Sequence, residues 1–158
     1  MRIGITGHRG LSGEVERTVR ALLDAALASY DSAELVGVSC IADGPDTWFA
    51  RAVLDRGGRL EVVLPAEQYR AGLPHWHRLG YDDLLRRAAE VHRTGLDACG
   101  PDAYMAGSEL LVDRVDELLA VWDGRPARGH GGTGDVVAYA REHCVPVTVL
   151  WPEGATRD

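Results

Sequence analysis

The sequence predicts an α/β protein: a single Rossmann-like domain with a mainly parallel sheet and helices on both faces. Three observations predict it. Apolar runs of strand length alternate along the chain with segments whose apolar residues recur at helical spacing, the signature of repeated βαβ units. Leu60–Leu64 and Leu118–Trp122 are almost continuously apolar, as strands buried on both faces must be. Three glycine-bearing stretches each follow a strand and lead into a helix.

The elements follow in order. Arg2–Thr6 reads as the first strand, and Ser12 as the N-cap of a helix running to about Tyr30. Val15, Val19, Leu22, Leu23, Ala26, Leu27 and Tyr30 form its apolar stripe, with Arg17, Arg20 and Asp24 opposite. Leu35–Val38 is a second strand. Pro45 suits the first position of a helix over Asp46–Asp55, which Gly57 and Gly58 stop. Leu60–Leu64 is the third strand. Pro65–Gly80 reads as an irregular excursion, and Tyr81–Ala89 as helix. Glu90–Arg93 is a short strand, and Pro101–Val115 a helix with Tyr104, Met105, Leu111, Val112 and Val115 inward. Leu118–Trp122 is a buried strand. A helix over Thr133–His143 and a strand over Val145–Trp151 close the chain. Trp48, Trp122 and Trp151 fall on these elements and are expected in the core. The 158 residues make one domain, without repeat or linker.

Composition removes whole classes of function. All 17 basic residues are arginine, so Schiff-base chemistry and a P-loop lysine are excluded. No apolar run approaches the roughly 20 residues of a membrane span, and the N-terminus reads as a strand rather than a signal peptide. No membrane partner is expected. Cys40, Cys99 and Cys144 share no C-x-x-C spacing, which argues against a disulfide framework or zinc site and leads us to expect a cytoplasmic protein. His75 and His77 form an H-x-H pair with no cysteine or carboxylate cluster near them in sequence, so no metal is expected. No cofactor is implied. The net charge of −7 leads us to expect no nucleic-acid partner.

In open parallel sheets, ligands bind at the carboxyl ends of the strands. The loops there are "TGHRG" (Thr6–Gly10), "SCIADGPD" (Ser39–Asp46) and "WDGRPARGHGGTGD" (Trp122–Asp135). Helix N-termini favour anions, and glycine lets a phosphate approach the backbone. The candidate ligand-binding residues are therefore Gly7, His8, Arg9, Gly10, Ser39, Cys40, Gly44, Asp46, Gly129, Gly131, Gly132 and Thr133. Arg125 and Arg128 flank the last loop as candidate phosphate clamps. Cys40 reads as a buried thiol rather than a nucleophile. A dinucleotide fingerprint is absent. The glycines of "GITGHRG" are spaced G-x-x-G-x-x-G, and Ser39 and Cys40 stand where an acid would hold a ribose. A small nucleotide or phosphorylated ribose is the expected ligand.

Val36–Gly58, "VGVSCIADGPDTWFARAVLDRGG", resembles the strand–loop–helix of the SLOG superfamily, which joins the DNA-processing protein A group to the Lonely Guy phosphoribohydrolases. There a Ser-Gly-x-Ala-x-Gly-x-Asp pattern recurs; here it runs from Ser39 to Asp46. "GHGGTGD" (Gly129–Asp135) is similar to the second glycine motif of that superfamily. The resemblance implies a nucleotide-binding fold and a homodimer paired through the helix over Pro101–Val115. In the Lonely Guy branch it also implies cleavage of a nucleoside 5′-monophosphate at its N-glycosidic bond, by an arginine and a glutamate. With Gly131, Gly132 and Gly134 set on G-G-x-G, the glutamate position is Ala138, and Ser108 and Glu109 stand near the arginine position. The phosphate cradle is kept and that catalytic pair is not.

"LLAVWDGRPARGHGGTGDVVAYAREHCVPVTVLW" is similar, more weakly, to the end of nucleoside 2′-deoxyribosyltransferase-like proteins, where Asp123 matches a strand-end acid. Asp123 and Asp135 are the candidate catalytic acids, because glycosidic cleavage develops oxocarbenium character that a carboxylate stabilises. The first expectation is thus a nucleotide-binding or sensing module, and the alternative a phosphoribohydrolase.

Overall fold

The structure is a computed structural model describing residues 1–127 and 129–155. Six strands form one sheet in the order β4-β3-β2-β1-β5-β6, with every neighbouring pair parallel. The strands are β1 (Arg2–Gly7), β2 (Val36–Ser39), β3 (Arg59–Leu64), β4 (Glu90–Arg93), β5 (Glu117–Val121) and β6 (Val147–Val149). The helices are α1 (Gly13–Leu27), α2 (Pro45–Asp55), α3 (Tyr69–Gly72), α4 (Arg78–Arg87), α5 (Pro101–Val112) and α6 (Thr133–Glu142), with a 3₁₀ turn at His75–His77. The chain builds outward from β1 to β4, then returns to place β5 and β6 on the other side of β1. The β1/β5 seam is therefore the topological switch point, where such sheets open a crevice.

Alternation along β1 sorts the helices into two layers. Ile3 and Ile5 are buried with Val19, Leu23 and Leu27 of α1 and Phe49 and Val53 of α2. Gly4 faces the opposite layer, where a Cβ would lie 2.7 Å from a methyl of Leu111. Its missing side chain lets α5 sit close against the sheet. Val38, Val63 and Leu118 pack there against Met105, Leu111 and Val112 of α5 and Val136 and Ala140 of α6. A third cluster puts Leu60, Val62 and Leu64 of β3 under Tyr69, Leu73, Tyr81 and Leu84.

Ser12 caps α1 as expected, its hydroxyl accepting from the Val15 N–H. Three elements differ from the sequence reading. Pro65–Gly80 is ordered into α3, the 3₁₀ turn and the start of α4, anchored by the Glu67 and Gln68 N–H groups donating to the Leu96 and Asp97 carbonyls. α5 stops at Val112 rather than Val115, because the Asp116 N–H turns to the Arg2 carbonyl and draws the chain into β5. β6 is shorter than Val145–Trp151, because the Val145 N–H still bonds Ala140 at the end of α6. The tryptophans are half-buried rather than core. Trp48 lies under the Arg20 guanidinium, Trp122 under that of Arg141, and Trp151 stands edge-on to His8.

One ion-pair cluster ties β1, β3 and β4 together. Both nitrogens of the Arg2 fork donate to the Glu61 carboxylate, at 2.9 and 2.6 Å, and His92 Nε2 lies 2.8 Å from Glu61 Oε1. The Arg2 bonds, followed by that of His92, hold the Glu61 carboxyl down at about 2 despite its burial. Its folded-state pKa lies below the unfolded value, so the stability it brings is present above about pH 4.5 and lost as pH falls through about 2. Glu61→Ala is expected to cost about 2–4 kcal/mol at pH 7, since it strands a partly buried guanidinium. Urea unfolding at pH 7 and pH 2.5 checks this: the cost should shrink at the lower pH, and an equal cost at both contradicts the ion-pair account.

Candidate functional site

A cavity of about 380 Å³ opens at the carboxyl ends of the strands, within the size range of small-molecule sites. Four segments build its wall: Ile5–Arg9 at the end of β1, Cys40, Ala42 and Asp46 after β2, Pro65 and Tyr69 after β3, and Gly129–Thr133 after β5. Tyr104, Ser108 and Leu111 of α5 close one side, and Val136 of α6 another.

Of the sequence-predicted ligand residues, Gly7, His8, Arg9, Cys40, Asp46, Gly129, Gly131, Gly132 and Thr133 come together on this wall. Gly10, Ser39 and Gly44 do not line it. Gly10 is an exposed turn with φ of 69°, and the nearby α1 N-terminus is capped by Ser12 and carries Glu14 and Glu16. Ser39 is fully buried as a loop staple: its hydroxyl accepts from the Ile41 N–H at 2.9 Å and donates to the Asp46 carbonyl at 3.0 Å. Gly44 is the N-cap of α2, with φ of 92°. Arg125 lies outside the wall, and Arg128 lies outside the described residues.

The candidate acids are also off the wall. Asp135 Oδ2 accepts from the Gly131 N–H at 3.0 Å and so braces the glycine loop against α6. Asp123 Oδ1 accepts from the Arg125 N–H at 3.0 Å and lies 3.3 Å from His8 Nε2.

Gly7 lets two elements converge beneath the cavity: a Cβ there would lie 2.9 Å from both Pro45 and Val121. His8 is buried, with its N–H extending the ladder to the Val121 carbonyl. Arg9 is about half exposed and ion-paired with Asp43, which is nearly buried. In the glycine loop, the Gly131 and Gly132 N–H groups are satisfied by Asp135 and Gly129. The Thr133 and Gly134 amides, at the first two positions of α6, have no acceptor among the described residues. A helix N-terminus with open amides, fronted by glycines, is an anion-binding arrangement.

Asp46 is partly buried and borders the cavity. Burial pushes its pKa up to about 7, with Asp43 adding to the rise, while the Ala42 N–H and Arg9 oppose it. The Cys40 thiol is pushed well up by burial and then by Asp46, which makes it a poor nucleophile. Behind the wall, His77 Nε2 lies 2.9 Å from the Ile41 carbonyl and 3.3 Å from Thr47 Oγ1. Because a carbonyl only accepts, Nε2 carries the proton. That bond holds Ile41 at φ of 48°, a strained position for a β-branched residue, and shapes the floor of the loop. His77 is thus a brace for the loop, and His75 is exposed beside Arg78.

Sequence reasoning missed Tyr69 and Tyr104 as wall residues. The spacing of Tyr104, Ser108 and Leu111 on α5 carried a signal, being one helical face. Tyr69 lay in the excursion after β3, and its position at a strand's carboxyl end was the only pointer.

No family model matches the chain, and no curated protein sequence is similar to it. Solved structures are similar in fold. DNA processing protein A (DprA) from Streptococcus pneumoniae superposes with a TM-score of 0.68 at 18% identity, over 94% of this chain and 49% of that one. DprA from Helicobacter pylori, whose structure is described as revealing a single-stranded DNA binding mode, gives 0.64 at 15% identity, over 100% of this chain and 68% of that one. The molybdenum cofactor binding protein from Rippkaea orientalis gives 0.62 at 17% identity, over 96% and 77%. The chain thus spans about half the length of the S. pneumoniae protein.

These likenesses overturn the expectation of no nucleic-acid partner, because a protein of this fold binds single-stranded DNA. The net charge of −7 is a sum over the whole chain. It does not fix the field in one crevice, where Arg9 and open helix amides stand. Among the described residues no helix is long and apolar enough to cross a membrane. Strand order and these superpositions together establish an all-parallel, Rossmann-like α/β fold of the kind seen in the DprA and molybdenum cofactor binding protein structures.

Proposed function

We propose that the chain is a binding module for a small phosphorylated ligand of the nucleotide type, seated with its phosphate at the N-terminus of α6. The observation that carries this reading is the Thr133 amide, on the cavity wall at the N-terminus of α6, which together with the next amide, Gly134, has no acceptor among the described residues. Arg9 and His130, at the same opening, add donors to an anion. The reading is binding without hydrolysis. Asp135 is committed to the Gly131 N–H, Asp123 to the Arg125 N–H, and neither borders the cavity. An acid outside the cavity is poorly placed to stabilise charge on a ribose within it.

Calorimetric titration with AMP, GMP, CMP and UMP, followed by chromatography of each mixture, tests both halves. We expect saturable binding of at least one nucleotide and no free base. Release of base that Asp135→Asn abolishes would establish the hydrolase instead. A short deoxyoligonucleotide belongs in the same series, because a single strand offers the same phosphate and base to the crevice.

A further inference from the structure

We propose that Asp46 and Tyr69 form a second subsite in the cavity, which reads an amino group on a heteroaromatic ring at the ligand's uncharged end. This rests on the phosphate reading above and adds to it the class of base that the site selects.

The observations are independent of the helix N-terminus. Tyr69 is 5% exposed, and it borders the cavity. Its ring is fixed edge-on by Tyr81 and Tyr104, at centroid distances of 6.1 and 6.3 Å. Its hydroxyl makes no hydrogen bond among the described residues and is not a buried atom, so it is open to a partner from the cavity. Cys40, Asp46 and Arg9 line the same cavity as Tyr69, and burial, followed by Cys40 and Asp46, holds its phenol well above the usual range while Arg9 opposes this. Asp46, partly exposed, is a second polar group on the same wall with hydrogen-bonding capacity to spare. Its Oδ2 has one long contact, 3.4 Å from the Ala42 N–H, and Oδ1 has no donor among the described residues.

An acceptor-rich carboxyl on the same cavity wall as a hydroxyl that both donates and accepts complements a ring presenting an N–H donor next to a ring-nitrogen acceptor. An amino-substituted nucleobase has that edge. The preference arises because an analogue lacking the amino group leaves Asp46 Oδ1 desolvated and unpaired, which a site built for a hydrogen bond does not tolerate.

Three ligands on the intact protein separate the subsites: AMP, purine riboside 5′-monophosphate (the same ring without its amino group) and ribose 5-phosphate. We expect AMP to bind at least about tenfold more tightly than purine riboside monophosphate, as one charged hydrogen bond warrants. Asp46→Ala and Tyr69→Phe should each collapse that ratio toward one and leave ribose 5-phosphate affinity unchanged. Far-ultraviolet circular dichroism of both variants confirms that they are folded. If ribose 5-phosphate binds and AMP shows no preference over its deamino analogue, the subsite is wrong while the phosphate reading stands. If none of the three binds, both are overturned. A preference that survives in both variants also overturns the subsite.

Discussion

Asp46→Asn is expected to stabilise the protein at pH 8 by about 2–4 kcal/mol, or roughly 5–15 °C in Tm for a chain of this length. The native carboxyl has its pKa raised to about 7 from an ordinary 3.8, burial being the main cause. The folded state therefore holds the proton more tightly than the unfolded chain does. Stability from this group is highest below about pH 4, falls as pH rises towards 7, and stays low above. Asparagine keeps the shape and the oxygen that accepts from the Ala42 N–H, and removes the charge. The gain should be close to zero at pH 4. Thermal melts at the two pH values measure it. A Tm shift equal at both, or a loss at pH 8, contradicts the assignment. A carboxyl that costs stability while bordering a cavity is what a site keeps for its ligand rather than for its fold.

Gly134→Ala is expected to have the second large effect. Alanine in place of glycine inside an exposed helix ordinarily gains about 1 kcal/mol. Here the added Cβ would lie 2.8 Å from the Ala127 nitrogen, 3.2 Å from the Arg125 carbonyl oxygen and 3.3 Å from the Pro126 carbonyl carbon. All three are backbone atoms, so the stretch over Arg125–Ala127 must move, and the glycine loop it leads into moves with it. We expect a loss of about 1–3 kcal/mol of stability and at least about a tenfold loss of nucleotide affinity, since displacement by a fraction of an ångström misaims both open amides. Gly13→Ala, at a site with nothing within 4 Å of the new methyl, is the control and should bind normally. Wild-type affinity in Gly134→Ala would separate the loop from the site.

The fold was legible because each of its large elements announces itself locally. The N-cap of α1 at Ser12, the proline that opens α2 and the apolar runs of β3 and β5 are short-range signals, and long-range packing agrees with them. The excursion over Pro65–Gly80 was not legible. Two prolines and two glycines break its periodicity, and its order comes from contacts with the stretch after β4. The site was legible as a set of loops, because strand topology alone delivers their ends to one place. The roles of individual residues were not. Ser39, Gly44 and Asp135 sit in the right loops and are spent on holding those loops in shape. Tyr69 faces the cavity only because α3 folds back over β3.

The position of the anion is the decisive property of the site. Amide nitrogen–proton correlation spectra recorded during titration with AMP, alongside inorganic phosphate, measure that directly. The Thr133 and Gly134 amides are expected to shift most and to saturate with both ligands, with Gly131 following through its bond to Asp135. Shifts that never saturate would contradict it. So would shifts centred at the opposite end of the sheet, on the polar depression around Arg2, Glu90 and Arg114.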